Sequence, residues 1–127
     1  MVQTCLRDER DLSELTNLMH SIAKSDGMTF TDGSKETKAD LNEIRRPAPT
    51  TPIMHLDIGA FDSDGVGFGA GDVRLSNNQV VIAFFEGSNA SKAHRFADEV
   101  VNKLRSHWQV ETVPTGRLPN LHCQGHS

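Results

Sequence analysis

The chain has 127 residues, 36% of them apolar, and a formal charge of −4. That is one domain's worth of chain, long enough to bury a core without metals or a dense disulfide network. The acidic balance excludes the basic footprint of a nucleic-acid binder, and no run approaches the ~20 apolar residues of a membrane-spanning helix.

From the amino end, "VQTCL" (2–6) alternates apolar and polar residues and predicts a short strand. A helix is expected from Asp8 or Asp11 to Lys24, because Leu12, Leu15, Leu18, Met19, Ile22 and Ala23 form one stripe at helical spacing. Asp8, Glu9 and Asp11 bring negative charge to its start, and Gly27 suits the position just past its end. "MTFTDG" (28–33) predicts a strand closing on an Asp-Gly turn. Ser34 is placed to cap a short helix to about Ile44, with Thr37, Leu41 and Ile44 inward. The proline-rich "RRPAPTTP" (45–52) reads as a loop.

Three strand-like runs follow: "IMHLDIGAF" (53–61), "GVGFGAGDVRL" (65–75) and "QVVIAFFEG" (79–87). The links "DSDG" and "SNNQ" carry hairpin chemistry, so 53–86 predicts an antiparallel meander. A second long helix is expected from Asn89 or Ser91 to about His107, on the stripe Ala93, Phe96, Ala97, Val100, Val101 and Leu104. "QVETVP" reads as a last strand, and 114–127 as an irregular tail. The order β-α-β-α-β-β-β-α-β predicts a single α+β domain, with helices packed on one face of a mainly antiparallel sheet.

The stretch "DGVGFGAGDV" (64–73) admits two readings. Gly65, Gly67 and Ala70 satisfy G-x-G-x-x-A, a variant of the dinucleotide fingerprint. Such a loop must open a helix that holds the pyrophosphate, and here no helix follows for roughly twenty residues. No G-x-x-x-x-G-K-[ST] occurs, so no nucleotide cofactor is expected. As a strand, the stretch puts Gly65, Gly67, Gly69 and Gly71 on one bare face and Val66, Phe68 and Ala70 on the other. A helix, an aromatic ring, a ligand or a second subunit can then approach closely. Val73 and Leu75 share the bare face if the strand is regular, and leave it if a bulge intervenes near Gly71–Asp72. "VVIAFF" (80–85) is apolar on both parities, so it is expected to be covered on both faces. Helices cover one. The 45–52 loop, the tail or another copy of the chain covers the other, which makes a homodimer an expectation.

Candidate chemistry is sparse. Asp57, Asp62, Asp64 and Asp72 cluster, but an EF-hand alignment puts Ala60 at its first position and Gly71 at its twelfth. "DSDG" is therefore read as a hairpin turn. His122, Cys123 and His126 have transition-metal ligand chemistry, yet three ligands in a terminal tail are common by chance, and no metal is assigned. His20, His55, His94 and His107 share no spacing. No G-x-S-x-G elbow is present. The one carboxylate set that a small hydrolase could use is Glu86, at the end of the most apolar strand, facing Asp57 or Asp72. Cys5 and Cys123 would enclose nearly the whole domain if bonded, worth roughly 4–5 kcal/mol less strain in the entropic account. In a reducing compartment they remain thiols. "MVQTCLRDER" has neither a basic n-region nor an apolar h-region. The expected location is cytoplasmic, or periplasmic if a leader has been removed.

At "FFEGSNASKAHRFADEVVNKLRSHWQVETVP", "GAGDVRL" and "VQTCLRDERDLSELTNLMHSIAKSDGMTF", the chain resembles small bacterial α+β proteins of unknown function, some of them lipoprotein-like. The resemblance rests on hydrophobic pattern and a few glycines, and transfers no functional residue. It implies the envelope as a location, where a Cys5–Cys123 bond would persist. The expected function is non-catalytic, by binding or self-association through the sheet. The alternatives are the carboxylate hydrolase and an immunity- or inhibitor-type partner protein, which the acidic charge permits. A polar pocket around Glu86, Asp57 and Asp72 would favour the enzyme, and an apolar patch on the glycine face would favour association.

Overall fold

The computed structural model describes residues 1–33, 56–73 and 76–113. The short helix expected over 34–44, the 45–52 loop, Leu75 and the tail with His122, Cys123 and His126 lie outside the described residues. The elements are β1 (Val2–Cys5), α1 (Glu9–Ser25), β2 (Thr29–Asp32), β3 (Asp57–Phe61), β4 (Gly67–Val73), β5 (Ser76–Phe85), α2 (Ala90–Arg105) and β6 (Val110–Thr112). The six strands form one sheet in the order β2-β3-β4-β5-β1-β6. Every neighbouring pair is antiparallel. The class is α+β, and β3, β4 and β5 are the expected meander.

Local chemistry sets the helix ends. Asp8 caps α1, its Oδ1 accepting the Asp11 N–H at 3.0 Å. At the other end Met28 N–H donates to the Ala23 carbonyl (2.8 Å) and Gly27 N–H to that of Lys24 (3.3 Å). These two bonds make a Schellman closure, and Gly27 supplies its left-handed residue at φ 68°. Asn89 caps α2, its Oδ1 accepting the Lys92 N–H at 3.1 Å.

Strand register divides the sheet into two faces. Ile58 pairs with Ala70 and Ala60 with Phe68. Across β5, Ala70 faces Ile82 and Phe68 faces Phe84. Both helices lie on this side. The Phe96 ring of α2 meets Phe68 (centroids 6.3 Å apart) and Phe84 (6.2 Å), and His20 of α1 stacks on Phe30 at 4.4 Å. Leu15, Met19 and Ile22 of α1 and Val100 and Leu104 of α2 complete the core between helices and sheet. Burial of these apolar side chains is the main stabilising contribution, at about 1.5–3 kcal/mol for each fully buried one.

Candidate functional site

The other side of the sheet carries the glycines, in successive rungs. Phe61, Gly67 and Phe85 stand side by side across β3, β4 and β5. Gly59, Gly69 and Ala83 form the next rung, and Asp57, Gly71 and Val81 the one after. The glycine-bearing rungs leave a depression of about 410 Å³, floored by Gly59 and Gly69, walled by Phe61 and Phe85, with Asp32 and Asp57 at one end. Phe61 is 53% exposed and Phe85 47%.

Three glycines of the expected four lie on this face. Gly65 is not in the strand: it sits in the β3–β4 turn with φ 81°. Alternation alone does not locate where the strand begins. The three strand glycines meet different neighbours, and only Gly67 is held to glycine by backbone. A Cβ on Gly67 would collide with the Ala60 carbonyl of β3. A Cβ on Gly71 would only touch the Leu56 carbonyl, at 3.4 Å. At Gly69 the neighbour is the Phe85 ring, 3.2 Å from such a Cβ. One aromatic ring of the chain itself thus rests on part of the bare face. The β4–β5 register shifts between Asp72 and Val73, close to where the sequence allowed a bulge.

The carboxylates proposed for hydrolysis do not converge. Glu86 follows Phe85, which pairs with Gly67, whereas Asp57 pairs with Gly71. Four residues of extended chain separate those positions, about 13 Å. Asp72 takes the helix-side parity, and its Oδ1 accepts the Leu56 N–H at 3.1 Å. Among the described residues, no group of three or more His, Cys, Asp or Glu side chains could hold a metal.

The "DSDG" turn is a hairpin turn with a structural carboxylate. Asp62 Oδ1 accepts the N–H groups of Asp64 (2.9 Å) and Val66 (3.1 Å). Its Oδ2 lies 2.6 Å from Lys92 Nζ on α2, which also reaches Asp64 at 3.6 Å. The Lys92 hydrogen bond holds the Asp62 carboxyl below its ordinary value, against the cost of burial. The β5–α2 turn packs on the same spot: Ser88 N–H donates to the Asp64 carbonyl at 2.8 Å. Gly87, at φ 57°, has no room for a Cβ against the backbone of Asp64, Gly65 and Val66. Asp62 thereby anchors the turn that carries Phe61 to Gly67.

Sequence reasoning missed a second cluster. Asp26, at the end of α1, and Glu99, on α2, line a cavity of about 180 Å³ with Met28, Lys92, Arg95 and Phe96. Burial, then the hydrogen bond with Glu99, push the Asp26 carboxyl up. No local pattern pairs residues on two separate helices. Cys5, on the glycine side of β1, is disulfide-bonded. Cys123, the chain's other cysteine, lies outside the described residues. No helix among the described residues is long and apolar enough to cross a membrane.

Comparison with protein-family models, with curated proteins and with solved structures finds no match to this chain.

Proposed function

We propose that the protein is a small non-catalytic domain that works by self-association, the glycine-floored face of one copy packing on that of another. The observation that carries this reading is the Phe61–Gly67–Phe85 rung, two half-exposed aromatic rings either side of a residue with no side chain. Exposed apolar surface next to a bare floor favours a packing partner over water. A two-fold axis across the face would let a ring of each copy settle on the glycines of the other, an isologous contact that closes at the dimer.

Light scattering at tens of micromolar tests the reading. The expected mass is about 28 kDa, twice the 14.0 kDa of the chain. Phe61→Asp and Phe85→Asp, each placing a charge in the contact, are expected to return it to a single chain. A single-chain mass for the unsubstituted protein counts against the proposal.

A further inference from the structure

The sheet face that carries the glycines is not equally open across its width. On β3 and β5, the Phe61 and Phe85 rings are half exposed. Gln3 and Gln79 belong to the same face. Gln3 pairs with Val81, which pairs in turn with Gly71, and Gln79 pairs with Cys5. Yet Gln3 is only 3% exposed and Gln79 0%. A face open to water would not hide two long polar side chains while leaving apolar rings exposed. Gln79 Nε2 donates to Gln3 Oε1 at 2.8 Å, and that bond offsets the cost of burying the pair. Something lies over these two residues. Both helices pack on the opposite face, and the described turns stand at the strand ends, so no described element supplies the cover.

Cys5 indicates where the cover comes from. It stands on this face opposite Gln79, and it is disulfide-bonded. The chain's other cysteine is Cys123. Bonded cysteines hold their Cα atoms about 4.4–6.8 Å apart, so a bond within one chain would set residue 123 beside the Cys5–Gln79 pair. The last described residue, Val113, donates its N–H to the Met1 carbonyl at 2.8 Å. Met1 and Cys5 lie at opposite ends of β1, about 13 Å apart in extended chain. The stretch from 113 to 123 can reach roughly 33 Å, so it returns along β1 with slack to spare. Gln3 lies between the two ends of that path. Leu118 and Leu121, just before Cys123, give the stretch apolar side chains to bury.

We propose that Gln3, Gln79 and Val81 are the seat of the chain's own C-terminal segment: residues 114–123 cross the β5-β1 part of this face as a strap, tied down by a Cys5–Cys123 bond. The strap divides the face. It closes the part around the glutamine pair and leaves the Phe61–Gly67–Phe85 rung open. It therefore bounds the surface that a second copy can reach. The strap rests on the Cys5 bond and the buried glutamines, not on self-association, and a chain that stays single can carry it.

Nuclear Overhauser contacts in the unsubstituted, unreduced full chain are the primary test. The Val81 methyl and Gln79 carboxamide protons are expected to show cross-peaks to residues 114–123, with Leu118 and Leu121 foremost. In a sample mixed from isotope-labelled and unlabelled chains, these cross-peaks are expected within one chain and not between chains. Cross-peaks to 34–55 in their place, cross-peaks to a second copy, or none beyond the sheet itself overturn the proposal. Side-chain amide exchange supplies a second reading. Reduction of the full chain is expected to speed exchange of the Gln79 carboxamide protons about tenfold or more while the helical circular dichroism stays unchanged. Exchange that is as slow after complete reduction as before it overturns the strap as a tethered cover.

Discussion

The Phe85 ring lies across Gly69 of the neighbouring strand, so that a Cβ on Gly69 would stand 3.2 Å from the ring's Cζ. At Gly67, on the same face, the obstacle is the backbone of Ala60 and Phe61. A ring end can swing aside, whereas a paired strand cannot. Gly69→Ala is therefore expected to change stability by no more than about 1 kcal/mol, since the lost approach is offset by reduced freedom of the unfolded chain. Gly67→Ala is expected to cost about 3 kcal/mol or more, because β3 and β4 must part. Urea midpoints of the two variants check this, and equal midpoints would sink the contact argument.

Asp62 combines two roles that substitution can separate. Asp62→Asn keeps an oxygen for the Asp64 and Val66 N–H groups but gives up the charge that holds Lys92. Asp62→Ala loses both. The expected order of thermal midpoint is unsubstituted, then Asn, then Ala. Lys92→Met should fall between the first and the last, since it leaves the buried carboxylate without its cation. A Lys92→Met variant as stable as the parent would show the ion pair to be idle.

How much of this was legible beforehand differs by element. The two long helices follow from stripes such as Leu15–Met19–Ile22 and Phe96–Val100–Leu104, where period 3.6 is unbroken and the ends carry Asp8, Gly27 and Asn89. The meander follows from hairpin chemistry and alternation, and parity placed Gly67, Gly69 and Gly71 on one face. Gly65 was misplaced because a left-handed turn residue and a strand residue look alike when both are glycine. The insertion of β1 between β5 and β6 is a long-range pairing, and local pattern does not encode it. Glu86 failed as a partner of Asp57 because adjacent strands run in opposite directions, so a strand's end lies far from its neighbour's neighbour's start.

Acid sensitivity should carry the mark of Asp11. Arg7 grips this buried carboxylate through Nε (2.8 Å) and Nη2 (2.9 Å), and its backbone N–H donates at 2.7 Å. The Arg7 hydrogen bond is the main reason that the Asp11 pKa falls to about 2. A depressed folded value means the contribution is complete above the ordinary carboxylate value and is lost as pH falls towards 2. Asp11→Asn is expected to cost about 1–2 kcal/mol at neutral pH, discounted because Arg7 itself is exposed. The cost should shrink as pH falls through that window. Urea unfolding of both proteins at several pH values reads it directly, and a cost that persists undiminished at the lowest pH refutes the assignment.

The last prediction concerns Cys5, which is disulfide-bonded on the side of the sheet opposite the helices. The chain has two cysteines, so an intramolecular bond requires Cys123 as its partner. Thiol titration of the unfolded, unreduced chain is then expected to find no free thiol, and under denaturing conditions the covalent mass should be that of one chain both before and after reduction. Because the bond would close a loop over nearly the whole sequence, reduction or Cys5→Ser should cost stability, up to about 4–5 kcal/mol if the native geometry is unstrained. The loss should appear in the unfolding midpoint without a change in helix content, since the caps of α1 and α2 are made by Asp8 and Asn89. Two reactive thiols in the unreduced chain would contradict the bond. A covalent pair of chains that reduction separates would move the partner cysteine to a second copy and join this result to the association test.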